Sequence, residues 1–378
     1  MSRFIQLHLL TAYPPANLNR DDMGSPKTAK MGGYDRLRVS SQCLKRTWRT
    51  SKIFEEALEG YIGTRTKEMG IKIYDRLKNK GIGHKDALEW TKLIAGVFGK
   101  LKELSKKEKE SLKNLSAEEK EKEELHEVEI EQLSFFDTEE EKSIFALVDS
   151  LAERNEKPTA DELKLLRKKM SAVDIAMFGR MLASEPAYNI EAACQVAHAI
   201  SVHPVVIEDD YFTAVDDLNS GQEDLGAAHI GETRFAAGLF YSYICINREL
   251  LIQNLDGNEE LANKAIGALI EAAVKVAPEG KQNSFASRAY ASYVLAEKGD
   301  QQPRSLSVAY LKPINPREND DFINDSIDAL IKQKDSFDHV YGDCADARYE
   351  LNVPKKQGTL AGLLNVDSWT LLEKNRRL

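Results

Sequence analysis

Residues 4–12 alternate between apolar and polar side chains, which is typical of a half-buried strand. Ile5, Leu7 and Leu9 share one face, because side chains along a strand point to alternate sides. Residues 13–33 are mostly polar and predict a long loop. Loops of this length inside a compact domain usually carry function.

A second pattern begins at Ser40 or Ser41, either of which can cap a helix by accepting a hydrogen bond from a free backbone N–H. Apolar residues then recur with a period of about 3.6. Lys45 and Arg49 lie on the opposite side, and no acidic residue stands three or four positions from either. The spacing predicts one helix over residues 41–58.

The remaining pattern predicts a mixed fold with a large insertion. Residues 60–169 are expected to be helical and highly charged, with a Lys/Glu tract at 101–141, and residues 205–240 to form a long hairpin arm. Further strands are predicted at 172–181, 235–246, 289–296 and 305–311, and further helices at 190–200, 259–276 and 321–334. This order is typical of an α+β, ferredoxin-like fold, of which the RNA-recognition sheet is one member.

Charge is distributed unevenly along the chain. The 378 residues carry a net charge of −9, which argues against a uniformly basic nucleic-acid coat. Residues 1–50 nevertheless hold nine basic and only three acidic residues. The four cysteines are scattered without a CxxC pair, and the N-terminal sequence lacks the pattern of a signal peptide. We therefore expect a cytoplasmic protein with no membrane segment.

The start of the predicted helix is the strongest candidate site. Free N–H groups, two serines, Gln42 and the basic residues Lys45 and Arg49 suit a phosphate chain, although a solvated basic helix face is an equal alternative. In the preceding loop, Asn19, Arg20 and Lys27 could reach phosphates.

Two loop aspartates, Asp21 and Asp22, leave two interpretations open. They could hold a divalent metal or act as a base, but turn capping is the favoured interpretation. The sequence contains no nucleophile elbow, zinc-protease motif, Walker loop or dinucleotide fingerprint, and its histidines do not cluster. No catalytic residue, metal or cofactor is predicted.

Several blocks in order resemble one family. The first comprises Leu18-Asn19-Arg20-Asp21-Asp22-Met23, Gly32-Gly33 and Arg38-Val39-Ser40-Ser41-Gln42-Cys43-Leu44-Lys45-Arg46; the others are Gly179-Arg180-Met181, Phe212-Thr213-Ala214-Val215-Asp216-Asp217, Ala228-His229-Ile230-Gly231 and Gly280-Lys281-Gln282. Together they resemble CasC, the repeated backbone subunit of the type I-E CRISPR complex Cascade. The charged insertion and the tail do not take part in the resemblance.

The resemblance implies a hand-like subunit. An RNA-recognition-like palm would comprise residues 1–59, 171–204 and 235–378, with helical fingers at 60–170 and a β-hairpin thumb at 205–234. Copies would line up along a guide RNA, kink it and present it to target DNA, together with other Cascade subunits and without cleaving RNA.

The resemblance also implies specific RNA contacts. Ser40, Ser41, Gln42, Lys45, Arg46 and Arg49 would grip the guide backbone, with Asn19, Arg20 and Lys27 beside them, Phe212 and Thr213 on the thumb, and Arg180, Lys281 and Gln282 as further candidates. Phe212 would wedge against a displaced base, or alternatively pack within the hairpin. Two other functions stay open: RNA cleavage by a loop aspartate, as in type III backbone subunits, and a phosphate-binding metabolic enzyme.

Overall fold

The computed structural model describes residues 2–111, 115–214, 229–315 and 321–371. Its strands are β1 (Phe4–Ala16), β2 (Thr28–Met31), β3 (Tyr34–Val39), β4 (Thr64–Thr66), β5 (Ser134–Phe136), β6 (Cys194–Val196), β7 (Ala199–Ser201), β8 (Glu208–Ala214), β9 (His229–Asn247), β10 (Tyr293–Gly299), β11 (Ala347–Asn352) and β12 (Thr370–Leu371).

The α-helices are α1 (Ser41–Arg49), α2 (Lys52–Ala57), α3 (Met69–Asn79), α4 (His84–Ala95), α5 (Lys106–Ser111), α6 (Ala117–Glu124), α7 (Thr138–Arg154), α8 (Val173–Phe178), α9 (Arg248–Asn254), α10 (Glu259–Lys275), α11 (Gln282–Phe285), α12 (Phe322–Tyr341) and α13 (Leu360–Leu364). The chain therefore has the predicted α+β class. No helix in the described part of the chain is both long and apolar enough to cross a membrane.

A ten-stranded antiparallel sheet forms the first of two compact units, which comprises Met1–Ala57, Cys194–Glu249 and Lys264–Leu378. The strand order is β12-β11-β10-β1-β9-β7-β3-β2, and β6 and β8 also pair with β9. β1 lies between β9 and β10, so His8 pairs with Tyr243 on one side and with Leu295 on the other. Apolar residues of the central strands pack with Ile327 and Leu330 of α12 in one buried cluster.

The second unit is mainly helical and comprises Leu58–Ala193 and Leu250–Asn263. Its core contains Ile73, Trp90 and Ile144 from α3, α4 and α7, next to the small β4–β5 sheet. The unit extends beyond the predicted insertion, because residues 171–193 belong to it.

Part of the Lys/Glu tract packs onto this helical unit through ion pairs. The pairs are His84 with Glu124, Lys92 with Glu127, and Lys102 with Glu129. Val128 and Ile130, on either side of Glu129 in the chain, are fully buried. Charge complementarity within the unit therefore accounts for much of the polar composition of this segment.

Two predicted elements change type in the structure. Residues 172–181 were predicted as a strand, but α8 forms there, and Asp174 accepts a hydrogen bond from the Gly63 N–H at 2.8 Å. Residues 190–200 were predicted as a helix, but they contain β6 and β7. Both segments are short apolar runs, and runs of this length do not distinguish the helical period from the strand period.

Other boundaries also differ from the prediction. The predicted helix over residues 41–58 is divided into α1 and α2, because the Ser51 hydroxyl donates to the Trp48 carbonyl at 2.7 Å and accepts from the Phe54 N–H at 3.3 Å. The predicted strand at 305–311 contains a 3-10 turn, Ser307–Tyr310, instead. The strand predicted at 289–296 begins later, at Tyr293.

A buried charged cluster ties together the centre of the sheet. Glu297 on β10 is fully buried and accepts hydrogen bonds from Arg304 at 2.8 Å and Arg348 at 2.7 Å, and His8 Nε2 lies 3.2 Å away. Burial alone would raise the pKa of Glu297, but the hydrogen bonds and charges of His8 and Arg304 outweigh it and hold the pKa below its usual range. This stabilising contribution is present at neutral pH and is lost as the pH falls.

We expect Glu297→Gln to lower the free energy of unfolding by about 3 kcal/mol at neutral pH, because it removes the buried carboxylate that Arg304 and Arg348 share and leaves them only Asp338. Denaturant unfolding measures the difference. The control is Glu271→Gln, which removes a partly exposed ion pair with Lys275 on α10 and should have little effect. Equal effects of the two substitutions would contradict a structural role of the cluster.

Candidate nucleic-acid interface

The first turn of α1 presents backbone donors in a positively charged setting. Ser40 is the N-cap, and its hydroxyl accepts from the Cys43 N–H at 3.3 Å. The Ser41 N–H donates to His198 Nδ1 at 3.1 Å. The first turn contains no acidic residue. Hence no side chain in this turn offsets the partial positive charge of the helix start.

The loop between β1 and β2 is fastened to this helix start. The Ser40 N–H donates to Asn19 Oδ1 at 3.0 Å. Asn17 is fully buried, and its amide donates to the carbonyls of Gly24 at 2.8 Å and Arg234 at 2.7 Å. The loop therefore bridges α1 and the part of β9 that continues into the arm.

Asp21 caps the turn at the tip of this loop, in agreement with the favoured interpretation. Its Oδ1 accepts from the backbone N–H groups of Met23 and Ser25, both at 2.9 Å. Asp22 is exposed beside it. Within the described residues, no group of three or more His, Cys, Asp or Glu side chains could hold a metal ion.

Basic side chains lie on both sides of α1. Lys45 is directed toward β6 and Cys194. Burial raises the pKa of Cys194 to about 12, and the positive charge of Lys45 limits this rise. Arg46 is exposed and lines a cleft of about 420 Å³ together with Asn19 and Arg20. Gln42 is exposed as well, and Arg49 is half-buried. Arg46 and the loop residues Asn19 and Arg20 thus share one cleft beside α1, which Asp21 and Glu279 also line.

A second cleft of about 300 Å³ lies on the other side of Arg20. Lys281 and Arg234 share this cleft with Arg20, and Lys281 donates to the Thr233 hydroxyl at the base of the arm. The close approach depends on Gly280, where a Cβ atom would lie 2.3 Å from the Leu18 carbonyl oxygen. The predicted residue Lys281 therefore lies next to the loop.

Gln282 is oriented differently from Lys281. Its side-chain amide donates to the Pro278 carbonyl at 2.9 Å, and its Oε1 atom is buried without a hydrogen-bond partner. This amide stabilises its own turn, so we leave Gln282 out of the proposed contact surface.

The arm is a two-stranded ribbon of β8 and the first part of β9. Phe212 pairs with Gly231, and Thr213 with Ile230. The Phe212 ring lies directly over Gly231, where a Cβ atom would come within 2.3 Å of the ring, yet 42% of Phe212 remains exposed. The residue is thus both packed and accessible. Residues 215–228, which include the predicted tip, lie outside the described residues.

Arg180 is held by contacts within its own unit. It belongs to the helical unit and is 5% exposed. Its guanidinium pairs with Glu140 at 2.6 Å and donates to the carbonyls of Phe135 at 3.3 Å and Arg167 at 3.0 Å. These contacts give Arg180 a structural role in the interior, so we remove it from the proposed interface.

Two residues at this surface, Arg38 and His198, were not among the predicted contacts. Arg38 of β3 and Lys27 both act on His198, whose pKa is lowered by burial and by these two charges. His198 is 157 positions from Ser41 in the chain, and its neighbours carry no ligand spacing. Only the pairing of β3 with β7 brings the two segments together.

Comparison with models of protein families shows which family the chain belongs to. The model of the CT1975-like proteins, a Cas family, matches residues 5–371. The chain belongs to this CT1975-like family. Among curated proteins, no match was found.

Solved structures resemble the family member described here. One chain from a structure titled "CRISPR RNA-guided surveillance complex, pre-nicking" is 27% identical, with a TM-score of 0.77 over 94% of each chain. A chain from a "CRISPR RNA-guided surveillance complex" is 24% identical, with a TM-score of 0.56 over 95% of this chain and 92% of that one. The second similarity concerns the fold alone.

We expect Arg180→Ala to destabilise the helical unit by about 3 kcal/mol, because it leaves Glu140 buried without its partner. Thermal and denaturant unfolding measure the loss. Lys164→Ala, which removes an exposed pair with Asp161 in the same unit, is the control and should leave unfolding almost unchanged. If the Arg180→Ala protein is fully stable but binds RNA more weakly, Arg180 contacts RNA and our structural assignment is wrong.

Proposed function

We propose that this chain is a guide-RNA-binding backbone subunit of a CRISPR surveillance complex. The observation that carries the proposal is the set of basic and polar side chains around the start of α1, in a chain similar to one found in such a complex. The resemblance of residues 18–23 and 38–46 to CasC leads us to propose, further, a type I-E Cascade.

The proposed contacts are made to the sugar-phosphate backbone. Ser40 and Gln42 offer polar side chains at the helix start, where the Ser41 and Cys43 N–H groups already have acceptors within the chain, and Lys45 and Arg46 supply charge. Contacts of this kind position a strand without reading its sequence. The same subunit can therefore bind any guide and leave its bases to pair with target DNA.

We also propose that several copies of this chain bind side by side along one guide RNA. Copies of the chain would bind successive segments, other Cascade subunits would close the ends, and Phe212 of each arm would wedge against one displaced base. A ring held over Gly231 with one part exposed is suited to stacking on a base.

The proposed role is binding without catalysis. Asp21 uses a carboxylate oxygen to cap its own loop, which gives it a structural task. Asp22 is the remaining candidate for the alternative function, RNA cleavage of the type III kind. Incubation of the assembled complex with complementary RNA and Mg²⁺ distinguishes the two functions, because regular cleavage that is lost in Asp22→Ala would replace our proposal.

We expect Arg46→Ala and Lys45→Ala each to weaken binding of single-stranded RNA about tenfold, the value of one charge-assisted hydrogen bond of about 1.5 kcal/mol. The loss should be the same for unrelated RNA sequences. Each substitution should reduce the slope of log affinity against log salt by about 0.7. Fluorescence anisotropy over a series of salt concentrations measures both quantities.

The matched control is Lys264→Ala, which removes an exposed lysine from α10. It lowers the total charge by the same amount, so it should change affinity much less. If all three variants weaken binding equally, the effect comes from overall charge, and the surface around α1 has no special role.

We expect Phe212→Ala to remove the periodic distortion of the guide without unfolding the subunit, because the ring is partly exposed and packs on the arm strand at Gly231. Chemical footprinting of guide RNA in the assembled complex measures the period. Tyr211→Ala is the control, since Tyr211 is 65% exposed on the same strand but faces the other side of the ribbon. A footprint that keeps its period in Phe212→Ala would assign the ring to packing alone.

A further inference from the structure

His198 occupies an unusual position at the start of α1. It lies in the turn between β6 and β7, and its Nδ1 atom accepts the Ser41 N–H at 3.1 Å. Because Nδ1 is the acceptor, a neutral ring carries its proton on Nε2. His198 itself is exposed. One of the donors that the helix start would offer to an anion is therefore covered by an imidazole.

The charged groups that face His198 are basic. They are Arg38 from β3 and Lys27 from the loop before β2. The Ser41 N–H of α1 is a neutral donor to the ring. Partial desolvation of the ring, followed by the charges of Arg38 and Lys27, lowers the pKa of His198 below its ordinary value. The ring is therefore neutral at pH 7 in the RNA-free chain, as its contact with Ser41 requires.

We propose that His198 is an RNA-contacting residue that exchanges the Ser41 N–H for a phosphate. In this exchange a phosphate oxygen replaces Nδ1 as the acceptor of the Ser41 N–H. The released ring takes up a proton from solvent and donates to the same phosphate. The inference rests on the proposed function, because it requires a nucleic-acid strand at the start of α1.

Electrostatics favours this exchange. A phosphate placed between Arg38 and Lys27 offsets the two charges that oppose protonation of His198, so the pKa of His198 is higher in the complex than in the free chain. By linkage, RNA affinity then rises as the pH falls. The gain is at most about tenfold per pH unit between the two pKa values.

The test compares wild type with His198→Gln. Affinity for one single-stranded RNA is measured from about pH 8 to about pH 5.5 at constant ionic strength, a range in which histidine is the side chain that ordinarily titrates. Wild type should bind roughly five to ten times more tightly at the acid end. His198→Gln, which cannot take up a proton, should lose most of this gain. His339→Gln, which changes an exposed histidine on α12, should keep it.

A second measurement does not depend on a variant. The imidazole resonances of His198 in the wild-type protein should titrate at higher pH after RNA is added. An unchanged titration, or a pH dependence that His198→Gln retains, overturns the inference while the proposed function stands. Wild type that binds no RNA at any pH overturns the proposed function itself.

Discussion

Backbone pairing along β9 is the constraint on which the rest of the sheet unit depends. This strand has 19 residues and pairs with β1, β6, β7 and β8. Its C-terminal part fixes β6 and β7, which place His198 at the start of α1. Its N-terminal part forms the arm with β8. One continuous strand therefore relates the candidate phosphate-binding surface to the ribbon that carries Phe212.

Short polar contacts connect this framework to the loop. Asn17 joins the loop to the Arg234 carbonyl on β9, and Asn19 joins it to the Ser40 N–H. Because these bonds involve backbone groups, they fix the path of the chain and leave Arg20 and Lys27 on the surface. A cationic surface can thus exist in a chain whose net charge is −9, since position within the fold decides the local potential.

A charged residue that belongs to a buried ion pair has a structural role and is not available to bind RNA. Arg180 and Glu140 are both buried in the helical unit, and Glu297 is buried in the sheet unit beside the partly buried Arg304. A charge removed from water requires a partner, and such a partner occupies the side chain. A basic residue within a recognisable motif therefore need not belong to the binding surface.

The sequence by itself determined the elements whose pattern is local. The alternation at Ile5, Leu7 and Leu9 predicted β1, the serine pair predicted the start of α1, and the period of α10 predicted a helix close to its observed bounds. The start of α12 was also predicted, but the helix continues past residue 334 to Tyr341. These features depend on residues close together in the chain, so their periodicity and capping chemistry are visible in it.

Tertiary structure decided the rest. The short apolar segments around α8, β6 and β7 carry no clear period, and β6 and β7 became strands by pairing with β9. Arg180 entered the interior because Glu140 lies there, and the Phe212 ring is fixed by Gly231 on the partner strand. His198 reached α1 through strand pairing across 157 positions. Contacts of this kind depend on which distant segments meet, and no local pattern encodes that.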